Sequence, residues 1–231
     1  SCINGEKVEN YYQSDGLISN DVWCLETDTS GQVWIGTIAG ACHFDGQEFT
    51  NFELPEGKMD TTLGVSSTQM VHCIMEDRQG DIWFCTNAGL FKYSDDVLIN
   101  VSVEAGMQTN FVNEIVEGDK GEFWVSTKKA LYKLEGGYSE DITKDLTDIV
   151  KGIGAIAEDK NGTIWFVFNQ HQLYTYNGED LVEFQKSEDN QGPVIFQIFE
   201  DQEDRLWFVG FSGAYRLENG KFINIKKVGP W

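Results

Sequence analysis

The sequence predicts an all-β fold, a five-bladed β-propeller of four-stranded antiparallel blades, and three observations carry that prediction. Tryptophan recurs at Trp34, Trp83, Trp124, Trp165 and Trp207, with successive gaps of 49, 41, 41 and 42 residues. Each of the five stands behind a turn rich in Asp and Gly, and each lies inside a β-branched or aromatic run. A period near 40 residues with strands and no helical periodicity marks a β-propeller, in which every repeat forms one blade.

The first strand of each repeat is set by two aliphatic positions. Val22, Val71, Val112, Ile153 and Ile195 stand twelve before the tryptophans, and Leu25, Ile74, Ile115, Ile156 and Ile198 stand nine before. The turn that follows carries Asp28, Asp77, Asp159 and Asp201 six before the tryptophan, and Gly31, Gly80, Gly121 and Gly162 three before it. Asp side chains bond backbone amides two residues on, and Gly accepts the positive φ of a short hairpin loop. The third repeat moves its acid to Asp119, and the fifth has Asp204 in the glycine position. The second strands, such as Ile82-Trp83-Phe84 and Ile164-Trp165-Phe166, are apolar on both sides of the pleat, as sheets packed between two neighbours require. Third strands follow at Gly89 to Tyr93 and Gly213 to Leu217, and fourth strands at Phe49 to Phe52 and Phe222 to Ile225. The repeats run over residues 17–52, 66–101, 107–142, 148–184 and 190–225 of one domain read as 1–231. An N-terminal strand over 8–12 is expected to help close the ring, either by adding to the last blade or by displacing its fourth strand. Residues 53–67 read as an inserted loop.

Two motifs give a resemblance. Ile156-x-Glu158-Asp159-x-x-Gly162-x-Ile164-Trp165, with Trp34-Ile35-Gly36-Thr37-x-x-Gly40 and Trp83-Phe84-Cys85-Thr86-x-x-Gly89-Leu90, resembles the two-component regulator propeller repeat. That resemblance implies a sensor-type scaffold like the periplasmic propellers of Bacteroidetes hybrid histidine kinases, which sense glycan fragments. The last repeats depart from it by losing Thr or Gly at the entry to the third strand.

Composition narrows the function further. With 38 Asp and Glu against 17 Lys and Arg, the net charge is -21, and the scattered lysines offer no basic stripe for phosphate contacts, so nucleic acid is excluded as a partner. The three histidines match no metal-ligand spacing and no calcium loop is present, so neither metal nor cofactor is expected. His72, in a first strand, reads as a satisfied buried histidine. Cys24, Cys42, Cys73 and Cys85 all fall in strands, where free thiols are expected; Cys24 and Cys73 are equivalent in adjacent blades, and their pairing stays open. Ser1-Cys2 suits the acceptor of a bacterial lipoprotein, with Ile3 to Glu6 as tether, and places the chain in the periplasm or at the cell surface.

The loops entering first strands and those joining second to third strands are expected to converge on one mouth. The first set offers Asn20, Asp21, Gln69, Asn110, Phe111 and Gln191; the second offers Asn87, Lys128, Asn169, Gln170, His171 and Phe211. Amides beside aromatic rings suit sugar hydroxyls and C–H faces, and also peptides. The expected function is therefore a recognition or sensor module for an oligosaccharide, a peptide or a signalling or transport protein, and not an enzyme. The alternative is a propeller glycoside hydrolase or lyase using mouth carboxylates such as Asp21. Asp119-Lys120-Gly121-Glu122-Phe123-Trp124 is similar to the Asp-box turn of sialidases, but binding a sialate carboxylate takes clustered arginines, and the chain has only Arg78, Arg205 and Arg216.

Overall fold

The computed structural model describes residues 1–5, 7–58, 67–185, 194–211 and 213–225. The protein is a five-bladed β-propeller in which every blade is a four-stranded antiparallel sheet built in sequence order. The first blade comprises Val22–Thr27, Val33–Thr37, Gly40–Phe44 and Phe49–Phe52. The second comprises Val71–Glu76, Ile82–Thr86, Leu90–Ser94 and Val97–Asn100. Val112–Glu117, Phe123–Thr127, Leu131–Glu135 and Tyr138–Asp141 form the third, and Ile153–Glu158, Ile164–Phe168, Gln172–Tyr176 and Leu181–Phe184 the fourth. The fifth holds Ile195–Glu200, Leu206–Gly210, Gly213–Glu218 and Lys221–Ile225. The chain divides into two compact units: Ser1–Glu104 with Asn110–Val112, and Ala105–Thr109 with Asn113 onward.

The Asp of each turn ties a knot that the sequence shows only in part. In the second blade Asp77 Oδ1 accepts from the amides of Gln79 and Asp81, while Oδ2 accepts from the Trp83 indole at 2.8 Å. The same set recurs around Asp28 with Trp34, Asp159 with Trp165 and Asp201 with Trp207. One carboxylate thus closes the hairpin and fixes the ring that fills the blade interface. At Asp201 desolvation pulls the other way, yet bonds from the Trp207 indole, Arg205 and the backbone hold its pKa down to about 2. Asp204 adopts φ +59°, the left-handed conformation that Gly31, Gly80, Gly121 and Gly162 supply in the other turns.

The third blade lacks this knot. Gly118 stands where the Asp belongs, Glu122 Oε2 reaches the Lys120 amide instead, and the buried Trp124 indole nitrogen has no hydrogen-bond partner among the described residues. Asp119 serves another purpose: its amide donates to Glu158 Oε2 of the fourth blade at 2.9 Å. Accordingly, Trp124→Phe should cost about 1–3 kcal/mol less than Trp83→Phe, because only the latter strands a carboxylate oxygen that had a donor. Urea unfolding of the two variants checks this.

Within the first unit, Val71 and Ile74 of the second blade share one core with Trp34 and Ala41 of the first. Gly36 has no side chain because a Cβ there would lie 2.9 Å from Val71 Cγ1 and 2.3 Å from Cys24 Sγ. Within the second unit, Ile153 and Ile156 pack with Trp124 and Leu131, and Ile195 and Ile198 pack with Ala157 and Trp165. In these three junctions the two aliphatic positions of a first strand cover the tryptophan face of the preceding blade. Of the ten aliphatic positions, eight are buried. Val22 and Leu25 of the first blade are 41% and 63% exposed.

At the N-terminus Lys7–Glu9 pairs with Cys2–Asn4 in a two-stranded sheet. The segment behind this hairpin packs Tyr11 on Phe44 and Phe49, with ring centroids at 5.1 and 5.5 Å, and Leu17 on Ile35 and Cys42. Cys24, Cys42 and Cys73 are free thiols and Cys2 is exposed; burial, with neighbouring Cys73, pushes the Cys24 thiol up.

Candidate functional site

One position of the repeat register changes its residue type in every blade. Eleven before the tryptophan stand Trp23, His72, Asn113, Gly154 and Phe196. The position just before it stays aliphatic, whereas this one is free to vary. Two aromatic groups are built on it, one in each unit.

In the first unit the His72 ring lies between aromatic partners. Its centroid is 4.7 Å from that of Phe111 in a tilted arrangement and 6.3 Å from that of Trp23 edge to face. Phe111 is buried, while Trp23 is 54% exposed, so the group presents an indole face to solvent over a supported base. Asn87, itself buried, fixes the histidine. Asn87 Nδ2 donates to the Ser67 carbonyl at 2.5 Å, which turns its Oδ1 toward His72 Nε2 at 2.6 Å. That acceptor places the imidazole proton on Nε2. The inserted loop abuts the same corner. Gly57 donates its amide to the Thr68 carbonyl at 2.7 Å, and a Cβ on Gly57 would lie 2.6 Å from the Asn87 carbonyl oxygen. Gln69 Nε2 closes the loop onto Glu56 Oε1 at 3.0 Å. Residues 59–66 of this loop lie outside the described residues.

The other expected residues of this unit have varied duties. Asn20 is exposed and its Oδ1 accepts from the Gln13 amide at 2.9 Å, which anchors the N-terminal turn. Asp21 is exposed, and its carbonyl accepts from Ile38 across the loop of the first blade. Asn110 is exposed beside Phe111.

In the second unit Phe211, 82% exposed, stands edge to face on Phe196, 53% exposed, with centroids 4.3 Å apart. Asn169 is spoken for by the fold. Its Oδ1 accepts from the amides of Val150 and Lys151 and its Nδ2 donates to the Asp148 carbonyl, so it staples the entry loop of its blade. Asn169 and Gln170 both have positive φ, 49° and 71°, the geometry of a tight hairpin turn, and leave Gln170 and His171 exposed at its tip. Lys128 is half-buried, and burial together with the charge of Lys151 lowers its pKa. Gln191 lies outside the described residues. Sequence reasoning missed Trp23 and Phe196; the signal was available, since Trp23 is a tryptophan outside the repeat register.

The carboxyl group with the largest upward shift is not in either aromatic group. Glu114 is pushed up to about 7 by desolvation, opposed by the Ile156 amide that donates to its Oε2 at 2.9 Å across two blades. Arg205 pairs with Asp201 and Glu203, and Arg205 and Arg216 both lie over the Trp207 ring, at 5.9 and 5.6 Å, far from the arrangement a sialate site needs. No group of three or more His, Cys, Asp or Glu side chains arranged to hold a metal occurs among the described residues.

A propeller built on Asp–Trp knots is a repeat scaffold. The model of the two-component regulator propeller matches residues 16–39 and 64–88 of it. These are the first two repeats, where the hydroxyls of Thr37 and Thr86 donate to the carbonyls of Gly40 and Gly89 at the entry to the third strand. Curated proteins gave no match. Among solved structures, the extracellular domain of BT4673 from B. thetaiotaomicron, described as a one-component system, is 20% identical with a TM-score of 0.68, over 84% of this chain and 26% of that one. Virginiamycin B lyase from Staphylococcus aureus, with quinupristin, is 19% identical with a TM-score of 0.66, over 86% and 67%. PorZ, a surface component of the type-IX secretion system of Porphyromonas gingivalis, is 16% identical with a TM-score of 0.58, over 88% and 33%. The chain thus spans about a quarter of BT4673, and the likeness in each case is one of fold. Among the described residues no helix is long and apolar enough to cross a membrane.

Proposed function

We propose that the protein is an extracytoplasmic recognition module that binds an oligosaccharide through the Trp23–His72–Phe111 group. The observation that carries this reading is the exposed Trp23 indole held edge to face against a histidine whose own orientation is locked by Asn87 and Ser67. A rigid, solvent-facing aromatic with an imidazole at its side is suited to the C–H face and hydroxyls of a sugar ring, at low entropic cost to the protein. The likeness to the extracellular domain of BT4673 accords with it. Lipid attachment at Cys2 and a periplasmic or surface location belong to the same proposal; mass spectrometry of protein from the native membrane fraction tests the anchor, and an unmodified Cys2 thiol refutes it.

The test of recognition is an oligosaccharide and peptide binding screen read by tryptophan fluorescence. Trp23→Ala is expected to weaken binding at least tenfold, about 1.4 kcal/mol or more, while leaving the unfolding midpoint within about 0.5 kcal/mol of wild type. Binding unaffected by Trp23→Ala sinks this reading. Release of reducing ends from any glycan, abolished by Asp21→Asn, would establish the hydrolase in its place.

A further inference from the structure

Two cysteines flank the His72–Asn87 pair and face each other across one hairpin. In the second blade the register shifts between Val71 and Cys73, so His72 is the extra residue of a bulge and Cys73 stands opposite Cys85. Residues so opposed project from one face of the sheet, with Cβ atoms about 4.5–5.5 Å apart in a regular ladder. A disulfide needs them at about 3.5–4.5 Å.

The first blade measures how far the bulge closes that gap. There the same shift sets Cys24 opposite Gly36, and a Cβ on Gly36 would lie 2.3 Å from Cys24 Sγ. The two Cβ positions are thus no further apart than that distance and one C–S bond, which is inside the disulfide span. The second blade carries a cysteine at both positions. Cys73 Sγ there turns to the Ile74 carbonyl, to which it donates at 3.7 Å. Rotation about its Cα–Cβ bond alone returns it to the placement of Cys24, over Cys85. Cys73 is half-buried and Cys85 is fully enclosed, so one sulfur meets an oxidant first and the other stands behind it.

We infer that Cys73 and Cys85 are a redox modification site, two thiols that a low-molecular-weight disulfide, RSSR, converts into a reversible cross-strand bridge. The Cys73 thiolate attacks one sulfur of RSSR and expels RS⁻, which takes up the proton that Cys73 released. The Cys85 thiol then gives up its proton and attacks Cys73 Sγ, and the second RS⁻ leaves and is protonated in turn. Two thiols are oxidised and one RSSR is reduced to two RSH, so the step balances with no other reactant. The bridge spans the bulge that aims His72, whose Nε2 lies 2.6 Å from Oδ1 of Asn87, two residues beyond Cys85. It therefore fixes the imidazole more firmly against Trp23. That consequence rests on the recognition role proposed for the Trp23–His72–Phe111 group, whereas the bridge does not.

A titration with oxidised and reduced glutathione, followed by trypsin mapping, tests the bridge without any ligand. Cleavage at Lys58, Arg78 and Lys92 separates Cys73 in 59–78 from Cys85 in 79–92, and leaves Cys24 and Cys42 in 8–58. Oxidation is expected to link 59–78 to 79–92 with the loss of two hydrogens, to raise the unfolding midpoint, and to be undone by dithiothreitol. Cys85→Ser should stop at the mixed disulfide, a glutathione adduct on Cys73, and Cys73→Ser should give no adduct on Cys85. Should Cys85→Ser not fold, Cys73→Ser, at the less buried position, still has to abolish the link and the rise in midpoint. In the bridged protein the NMR signals of the His72 ring should shift, while those of His171, in the other unit, stay in place. Both thiols unchanged in fully oxidised glutathione, or a link from 59–78 to 8–58, overturns the modification site. A bridge that leaves the His72 signals unmoved overturns its effect on recognition.

Discussion

Replacing Trp83 by alanine is expected to lower stability by about 3–5 kcal/mol, the range for deleting a large aromatic side chain from a packed core. Trp83 is only 4% exposed, its indole donates to Asp77, and Lys92 Nζ sits 5.5 Å from its ring centre. Deletion therefore removes packing, a charge-assisted hydrogen bond and the closure of a turn at once. Trp34 and Trp165, equally enclosed and equally bonded to Asp28 and Asp159, should fall in the same range. Trp207 should cost less, because its face is partly open to solvent. Equilibrium urea unfolding of the four alanine variants measures the series, and a flat response at Trp83 would contradict the burial described for it.

Stability is also expected to fall as pH rises from about 4.5 to about 7, through Glu114. Its folded-state pKa of about 7 lies above the ordinary carboxyl value of 4.5, because desolvation at the junction of two blades disfavours the anion. The folded protein thus retains a proton that the unfolded chain has released throughout this window, and linkage makes folding less favourable with each step upward. Below 4.5 both states are protonated and the group contributes no penalty; above 7 both are ionised and the full penalty of about 3 kcal/mol is in place. Glu114→Gln keeps an oxygen for the Ile156 amide and removes the charge. It should flatten this part of the pH–stability profile and stabilise the protein at pH 8. An identical slope in the variant would assign the pH dependence to other groups.

The blade count, strand order and Asp–Gly turns were legible because propeller repeats impose a fixed register, and the core positions of that register must stay apolar. The indole bond from four of the tryptophans to the Asp six residues earlier was not legible, since it depends on how the hairpin folds the two back together. The exposure of Val22 and Leu25 was equally hidden: their residue types match those of Val71 and Ile74, and only their neighbours differ. For the site, Phe111 and Phe211 were found as loop aromatics, but Trp23 was overlooked because the eye follows the periodic tryptophans. Asn169 and Asn87 looked like ligand-binding amides, yet the fold uses both to satisfy backbone groups of adjoining loops. A polar side chain in a loop has the same sequence signature whether it faces a ligand or the chain itself.

The unequal bonding of the five repeat tryptophans turns a monotonous array into one with addressable parts. Four indole protons are held by carboxylates, while that of Trp124 has no acceptor among the described residues. In a sample isotopically labelled only at tryptophan, among the seven indole signals of the chain the four should resonate downfield and exchange slowly with solvent, and that of Trp124 should stand apart. Following those signals during denaturation would time the loss of each blade separately, a resolution that bulk fluorescence of near-identical repeats does not offer.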